Sequence, residues 1–254
     1  MSKPRFYCAK LTPGIVTLDQ RESKHALQSL RLHPGDELIL FDGRGRLAHG
    51  VLQLGDDAVN RRESRRAPAT KMRRALVTVE RVLCEPPPTR TLTLIVAGCK
   101  GSRLAWMVEK LTELGTTRIV IAAFERAVVR AGEAHAAKLR RTALEAAKQS
   151  HGVWLPEITC GVALARALAD RPDGGLLVAH PVDEAPPLFN RLYAHDLADQ
   201  HLTAVVGPEG GLTAAEIAML REGGGELVRL ASSILRIETA AISVAANWAA
   251  RQPG

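Results

Sequence analysis

Apolar and polar residues alternate in short runs over the first 80 residues, and this pattern predicts a β-rich segment. The predicted strands cover residues 5–8, 37–41, 47–54 and 75–82. Turn signals rich in glycine and proline separate them, at residues 12–14, 33–36 and 42–45. Short strands joined by such turns favour a small β-barrel, which one short helix over about residues 23–30 interrupts.

The pattern changes after three consecutive prolines, Pro86, Pro87 and Pro88, which form a stiff, extended spacer. Beyond them, apolar β-branched runs alternate with segments of helical periodicity. The predicted strands are 91–97, 118–122, 176–179, 202–206 and 226–228, and the predicted helices are 104–114, 136–149, 162–169, 213–221 and 238–250. This alternation predicts an α/β domain with a mostly parallel sheet and helices on both faces. We therefore predict two domains, residues 1–84 and 85–254.

The chain of 254 residues has a net charge of +7, and the excess lies in its first third. Residues 1–90 hold 17 Lys and Arg against 10 Asp and Glu, whereas residues 91–254 hold 17 of each. Residues 61–74 alone carry seven basic side chains and one acid. A basic domain beside a neutral one favours contact with a polyanion such as RNA, although a solvated surface kept for solubility would look similar.

Several classes of protein are disfavoured. No apolar run is long enough for a membrane span and the N-terminus lacks a signal-peptide core, so we expect a cytoplasmic protein. The four cysteines are widely spaced and form no Cys-x-x-Cys pair, which indicates free thiols and no metal. Dinucleotide, P-loop, metalloprotease and serine-hydrolase signatures are absent.

Two turns near the C-terminus are the strongest candidates for chemistry. At residues 205–216 a predicted buried strand enters a Gly-Pro-Glu-Gly-Gly turn, after which Thr213 and Glu216 form the pattern of a capping box. Such glycines let a ligand approach the backbone, and ligands of open α/β sheets bind at the carboxyl ends of strands. The second turn, 230–241, places Arg236 and Glu238 at the start of the last helix, where spacing alone would favour a surface ion pair.

Together these turns resemble a known family. Gly207-Pro208-Glu209-Gly210-Gly211, followed by Ile234-Leu235-Arg236-x-Glu238-Thr239-Ala240, is similar to the bacterial 16S rRNA uracil-N3 methyltransferases, the ribosomal small subunit methyltransferase E family of the SPOUT superfamily. The similarity extends over most of the chain, including Phe41-Asp42-Gly43-x-Gly45 and Thr112-Glu113-Leu114-Gly115. The chain departs from the family pattern at Ala231, where Gly is usual, at Ser233, where Arg is usual, and at Phe124, where Ser is usual.

The resemblance implies a PUA-like RNA-binding β-barrel at residues 1–84 and a trefoil-knotted SPOUT domain that binds S-adenosylmethionine at residues 85–254. It implies 16S rRNA of the small ribosomal subunit as the partner, and a homodimer. The residues expected to bind the cofactor are Gly207, Pro208, Glu209, Gly210, Gly211, Leu230, Ala231, Ser233, Ile234 and Leu235. Those expected to contact RNA are Arg5, Arg31, Arg61, Arg62, Arg65, Arg66, Lys71, Arg73, Arg74, Lys100 and Arg126.

The implied reaction transfers a methyl group to N3 of a uridine. N3 must lose a proton before it attacks, so the site needs a base or a cation that stabilises the N3 anion. Arg236 is the candidate cation, and Glu238 and Glu209 are the candidate proton acceptors. Two alternatives stay open: a SPOUT methyltransferase of tRNA or 23S rRNA, and a non-catalytic RNA-binding or ribosome assembly factor, which the substitutions Ala231 and Ser233 would favour.

Overall fold

The computed structural model describes residues 3–54, 74–129, 131–182, 184–193 and 200–251. The chain divides into two compact units, one formed by Met1–Pro87 with His151–Trp154 and the other by Pro88–Ser150 with Leu155–Gly254. The predicted boundary, 84/85, lies three residues before this division. The sequence did not predict that four residues from the middle of the chain belong to the first unit.

The first unit is built on a five-stranded sheet with the order β1-β3-β4-β5-β2. Its strands are β1 (Arg5–Tyr7), β2 (Gly14–Thr17), β3 (Glu37–Phe41), β4 (Arg46–Leu54) and β5 (Ala75–Cys84). β1 pairs with β3 in parallel, and the other pairs are antiparallel. β2 was not predicted, because Ile15 faces solvent and leaves Val16 as its one buried apolar residue.

A short helix packs beside this sheet and begins earlier than predicted. Helix α1 (Gln20–Lys24) continues as a π-helical segment over His25–Ser29. Asp19 caps it by accepting a hydrogen bond from the backbone N–H of Glu22 at 2.8 Å, which explains the start before residue 23. The buried Ser23 hydroxyl donates to the carbonyl of Leu18 and accepts from the N–H of Ala75 at 3.1 Å, so the helix is tied to β5.

The second unit contains a six-stranded sheet with the order β11-β9-β10-β6-β7-β8. Its strands are β6 (Thr91–Ala97), β7 (Arg118–Ala123), β8 (Glu157–Ala163), β9 (Gly175–Ala179), β10 (His201–Val206) and β11 (Glu226–Val228). Every pair is parallel. Residues 92–97 of β6 are all buried. Because successive side chains point to opposite faces, both faces of the sheet are covered, as predicted.

Six helices accompany this sheet in the described part of the chain. They are α2 (Arg103–Glu113), α3 (Glu133–Ser150), α4 (Leu164–Ala169), α5 (Leu188–Leu192), α6 (Ala214–Glu222) and α7 (Ile237–Ala249). α2 packs against both α3 and α7, and Trp248 of α7 is fully buried in the core. None of the described helices combines the length and the apolarity that crossing a bilayer would require. The trefoil knot implied by the resemblance stays a prediction.

The prediction of a helix over 162–169 was wrong at its start. Val162 and Ala163 belong to β8, where they pair with Ala122 and Ala123 of β7. Their backbone groups are therefore satisfied by the sheet, and the helix begins at Leu164. β8 and α5 were not predicted: β8 buries alternate residues over only its first half, and α5 has five residues.

Candidate active site

The parallel sheet brings several loops to one edge, where its strands end. β10 lies between β9 and β6, so the turn after Val206 is adjacent to the loops after Ala179 and Ala97. From β6 the chain continues to β7 and β8 on one side and then crosses to β9 and β10 on the other. Such a switch in strand order is where open α/β sheets bind ligands.

A cavity of about 180 Å³ opens at this edge, and the two candidate turns line it. The predicted cofactor residues on its wall are Gly207, Pro208, Glu209, Gly211, Leu230, Ala231, Ser233, Ile234 and Leu235, and Gly210 is not among the lining residues. Sequence reasoning missed His180 and Pro181, which follow β9 and also line the cavity. The position of β9 next to β10 could have identified them only if the strand order had been known.

The glycine turn has a backbone shape that depends on its sequence. Gly211 has φ of +74°, a conformation that L-residues rarely adopt, and its N–H donates to the carbonyl of Pro208 at 2.8 Å. The turn then enters α6 through the predicted capping box, which the structure confirms. Thr213 accepts from the N–H of Glu216 at 3.2 Å, and the Glu216 carboxylate accepts from the N–H of Thr213 at 2.8 Å.

The structure accommodates two of the departures from the family pattern. Among the described non-glycine residues only Arg31 and His151 have a positive φ, so Ala231 lies in a conformation that alanine adopts without strain. Phe124 is 2% exposed and packs in the core of the second unit. Ser233 lines the cavity with an exposed side chain.

The start of α7 places two charged residues in contrasting surroundings. Arg236 is the N-cap residue of α7 and is exposed, and no other described residue forms a hydrogen bond or ion pair with its side chain. Glu238 is buried, with 5% of its surface exposed. Its Oε1 atom lies 3.3 Å from Nη1 of Arg103, whereas its Oε2 atom is buried and has no hydrogen-bond partner among the described residues.

Arg103 is a site residue that sequence reasoning missed. It is the first residue of α2, and its Nη1 atom also lies 3.5 Å from Oε1 of Glu209 in the glycine turn. The hydrogen bond that Arg103 donates to Glu238, with a smaller contribution from the charge of Glu209, raises the pKa of Arg103 above its usual value. A cation in the first turn of a helix opposes the helix dipole, so its position could have indicated an acidic partner.

A smaller cleft adjoins the cavity and shares Pro208, Glu209 and Ile237 with it. The remaining lining residues are Gly98, Cys99, Lys100, Arg126, Val128 and Val129. Two of the predicted RNA contacts, Lys100 and Arg126, therefore lie together at this cleft. The Arg126 guanidinium donates to the carbonyl of Gly210 at 3.1 Å, which connects the loop after β7 to the glycine turn.

Cys99 lies at the same cleft but is not a thiolate at neutral pH. Burial, reinforced by the negative charge of Glu238, raises the pKa of Cys99 to about 11. The thiol therefore stays protonated and is a poor nucleophile. In the described part of the chain, no group of three His, Cys, Asp or Glu residues could hold a metal ion.

Three further predicted RNA contacts, Arg5, Arg31 and Arg74, belong to the first unit. Arg31 and Arg74 are exposed there. Arg5 is half-buried: it donates to the carbonyl of Gly152 at 3.0 Å and lies over the ring of Phe41. Burial lowers the pKa of Arg5 from its usual value. Arg61, Arg62, Arg65, Arg66, Lys71 and Arg73 lie outside the described residues.

Comparison with known families gives a consistent result for both units. A family model for an RNA methyltransferase domain matches residues 85–249. A model for an RNA methyltransferase PUA domain matches residues 18–59. The cavity and the cleft lie within the first of these matches.

Individual relatives match over almost the whole chain. The ribosomal RNA small subunit methyltransferase E of Mycobacterium bovis is 31% identical over 249 residues, which cover 93% of this chain and 87% of the relative. The Synechocystis protein of the same name is 28% identical over 91% of this chain and 71% of its own length. A crystal structure of the Neisseria gonorrhoeae protein of that name, bound to S-adenosyl methionine, is 28% identical, covers 96% of both chains and has a TM-score of 0.78.

Proposed function

Because this chain belongs to the ribosomal RNA small subunit methyltransferase E family, we propose that it transfers a methyl group from S-adenosylmethionine to N3 of a uridine in 16S rRNA. The observation that carries this proposal is the meeting of the two family-like turns on one cavity, at the carboxyl edge of a parallel sheet. Had those turns lain apart, the resemblance would have had no site to support it.

The cavity suits a ligand with an apolar ring and a cationic centre. Leu212, Leu230 and Leu235 provide apolar wall, and the glycine turn exposes backbone to the interior. Glu209 is the acidic side chain of a lining that also contains Arg229, and the charge of Glu209 favours a cation beside it. S-adenosylmethionine, when bound, supplies a methyl group on a positively charged sulfur that becomes neutral as it departs. The leaving group therefore needs no acid.

The chain's own residues must handle the proton of the uridine imide. The N3–carbon bond forms as the carbon–sulfur bond breaks, and the N3 proton passes to a base. We assign this base to Glu209, since its half-exposed side chain lines both the cavity and the cleft. Glu238 is the second candidate, although its carboxylate is buried beside Arg103. Arg236 is exposed at the start of α7, where it can stabilise negative charge on O2 or O4 of the uracil ring.

The basic residues are proposed to hold the RNA. Lys100 and Arg126 lie beside the cleft that adjoins the cavity, in position to contact phosphates around a flipped-out nucleotide. Arg31 and Arg74 are exposed basic residues of the first unit and are proposed to contact RNA there. The proposal implies a cytoplasmic protein, since bacterial ribosomal RNA is modified in that compartment.

We also propose that the protein acts as a homodimer. α7 is rich in small side chains, which would let a helix of a second copy approach closely, but Ala240, Ala241 and Ala245 are already buried within the chain itself. Exposed apolar surface remains at α5, where the rings of Phe189 and the C-cap residue Tyr193 stack with their centroids 4.4 Å apart. Ile234 is also 86% exposed. A second copy of the chain would cover such surface.

Nucleoside analysis of ribosomal RNA tests the proposed function directly. Cells with and without the protein are compared by mass spectrometry, and we expect 3-methyluridine to disappear from 16S rRNA in its absence. Loss of a methylated nucleoside from tRNA or 23S rRNA instead would favour the related methyltransferase. If no nucleoside changed and the purified protein bound no S-adenosylmethionine, the non-catalytic RNA-binding factor would be favoured.

A further inference from the structure

We propose that Arg103 is a positioning residue that ties together the two turns lining the cofactor cavity, through its contacts with Glu209 and Glu238. The inference rests on the proposed function, since it takes the cavity as the site of S-adenosylmethionine. It adds a residue from a third segment of the chain, the start of α2, which does not itself line the cavity.

The geometry makes one guanidinium the link between three segments. Nη1 of Arg103 lies 3.3 Å from Oε1 of Glu238 and 3.5 Å from Oε1 of Glu209. These partners lie 135 and 106 residues away in sequence. Glu209 belongs to the glycine turn, and Glu238 belongs to the second turn, in the part that forms the start of α7. The single nitrogen therefore joins the two walls of the cavity from outside it.

The burial of Glu238 explains why this link matters. The Glu238 side chain is 6% exposed, and a buried carboxylate is strongly disfavoured without a counter-charge. Arg103 supplies that charge, because the other ionisable groups that interact with it are Cys99, a neutral thiol, and Glu209, which is itself an anion. Glu209 is 53% exposed, so its ion pair contributes little stability by itself. Its contact with Arg103 chiefly sets the direction of the glycine turn.

Loss of Arg103 should therefore change the cavity more than the RNA surface. Without the guanidinium, Glu238 must protonate or move toward water, and the start of α7 moves with it. Ile237, the neighbouring residue, lines both the cavity and the cleft, so its displacement alters the cofactor site. The described side-chain hydrogen bonds of Arg103 go to Glu209 and Glu238, and that of Arg126 goes to Gly210. The role of Lys100 and Arg126 in RNA binding should therefore persist.

Calorimetric titration of the full-length protein with S-adenosylmethionine tests the inference. We expect Arg103→Met to bind about tenfold more weakly than the wild type, and Arg103→Lys to recover most of that loss because it keeps the charge. In a Glu238→Gln background, where no buried charge needs a partner, Arg103→Met should cost less than about threefold. KM for RNA should change by less than about twofold in each case.

Lys100→Met is the matched control, since Lys100 is an exposed cation three residues from Arg103. It should raise KM for RNA and leave the affinity for S-adenosylmethionine unchanged. If the wild type bound no S-adenosylmethionine, the proposed function itself would fail. If the wild type bound and Arg103→Met bound equally well, or affected only KM for RNA, the inference about Arg103 would be overturned and the function would stand.

A second pair of variants covers the case in which Arg103→Met does not fold. Glu209→Gln is then measured in the wild type and in Arg103→Gln, which keeps a polar side chain but removes the charge, and the two losses of cofactor affinity are compared. Because the proposal has Glu209 oriented by Arg103, the two substitutions should be non-additive. Strictly additive losses would overturn the link.

Discussion

The side chain of Glu216 accepts a hydrogen bond from the backbone N–H of Glu125 at 2.8 Å, across 91 residues of sequence. Its other oxygen caps α6 by accepting from the N–H of Thr213 at 2.8 Å. One buried carboxylate therefore holds both the end of the glycine turn and the loop that carries Arg126. The capping box, which is a local motif in the sequence, also has a long-range role in the fold.

Glu216→Ala should lower the free energy of unfolding by about 2–3 kcal/mol, because it removes part of a helix cap and leaves two backbone N–H groups, of which that of Thr213 is buried, without their partners. Glu216→Gln, which keeps one acceptor oxygen, should cost roughly half as much. Chemical denaturation measures both. Glu222→Ala, at the exposed end of the same helix, is the control and should change stability by less than about 0.5 kcal/mol. Equal losses of stability in Glu216→Ala and Glu222→Ala would contradict the structural role given to Glu216.

Gly45→Ala should destabilise the first unit by more than about 3 kcal/mol, through backbone strain and overpacking together. Gly45 has φ of +87°, and an added Cβ would lie 2.3 Å from the Trp154 ring and 2.6 Å from the carbonyl oxygen of Glu85. Gly35, with φ of +95° and open space around it, is the matched control. Gly35→Ala should cost only about 1–2 kcal/mol, which represents the strain alone. Thermal unfolding of the two variants tests the difference.

The buried thiols predict a loss of stability at alkaline pH. Burial raises the pKa of Cys160 to about 11, above the value near 8.5 of a thiol in an unfolded chain. The associated stabilisation is complete below pH ~8.5 and is lost as the pH rises toward ~11, because the unfolded state releases its proton first. Between pH 8 and 10.5, the free energy of unfolding of Cys160→Ala should fall by about 1–2 kcal/mol less than that of the wild type. Parallel stability curves for the two proteins would show that this thiol does not contribute.

Arg236→Ala should reduce the turnover number by about 100-fold or more, because a cation that stabilises the deprotonated uracil ring acts mainly in the transition state. The exposed side chain of Arg236 has no partner among the described residues, so the melting temperature should hardly change. Arg221→Ala, which removes an exposed arginine at the end of α6, should methylate normally. Single-turnover methylation of 16S rRNA distinguishes the two variants. Near-normal turnover of Arg236→Ala would refute the role given to Arg236.

The sequence predicted the elements of the second unit well where burial was continuous. β6 has the predicted bounds and β10 differs by one residue, because buried parallel strands show unbroken apolar runs between turn signals. β11 also has the predicted bounds, although Val228 is its one buried residue. β8 was missed because only Ile158 and Cys160 of its seven residues are buried. A local pattern could not show that Val162 is held by pairing with β7.

The candidate site was predicted only where it follows directly from the two turns. Their meeting on one cavity depends on strand order, which periodicity does not reveal. His180 and Arg103 come from other segments and carry no motif of their own. The contrast between exposed Arg236 and buried Glu238, two residues apart, likewise needed the packing of α7 against α2.

The four residues His151–Trp154 have a consequence for exchanging this protein's parts. Their backbone and the Trp154 ring bond to Arg5, Gly45 and Pro86, so they complete the first unit although they lie between α3 and β8 in sequence. A graft of residues 1–87 onto another enzyme would leave this piece behind and expose the surfaces that it covers. The first unit of this enzyme therefore cannot be moved to another protein as one continuous segment. Recombination at the proline spacer alone should yield poorly folded hybrids.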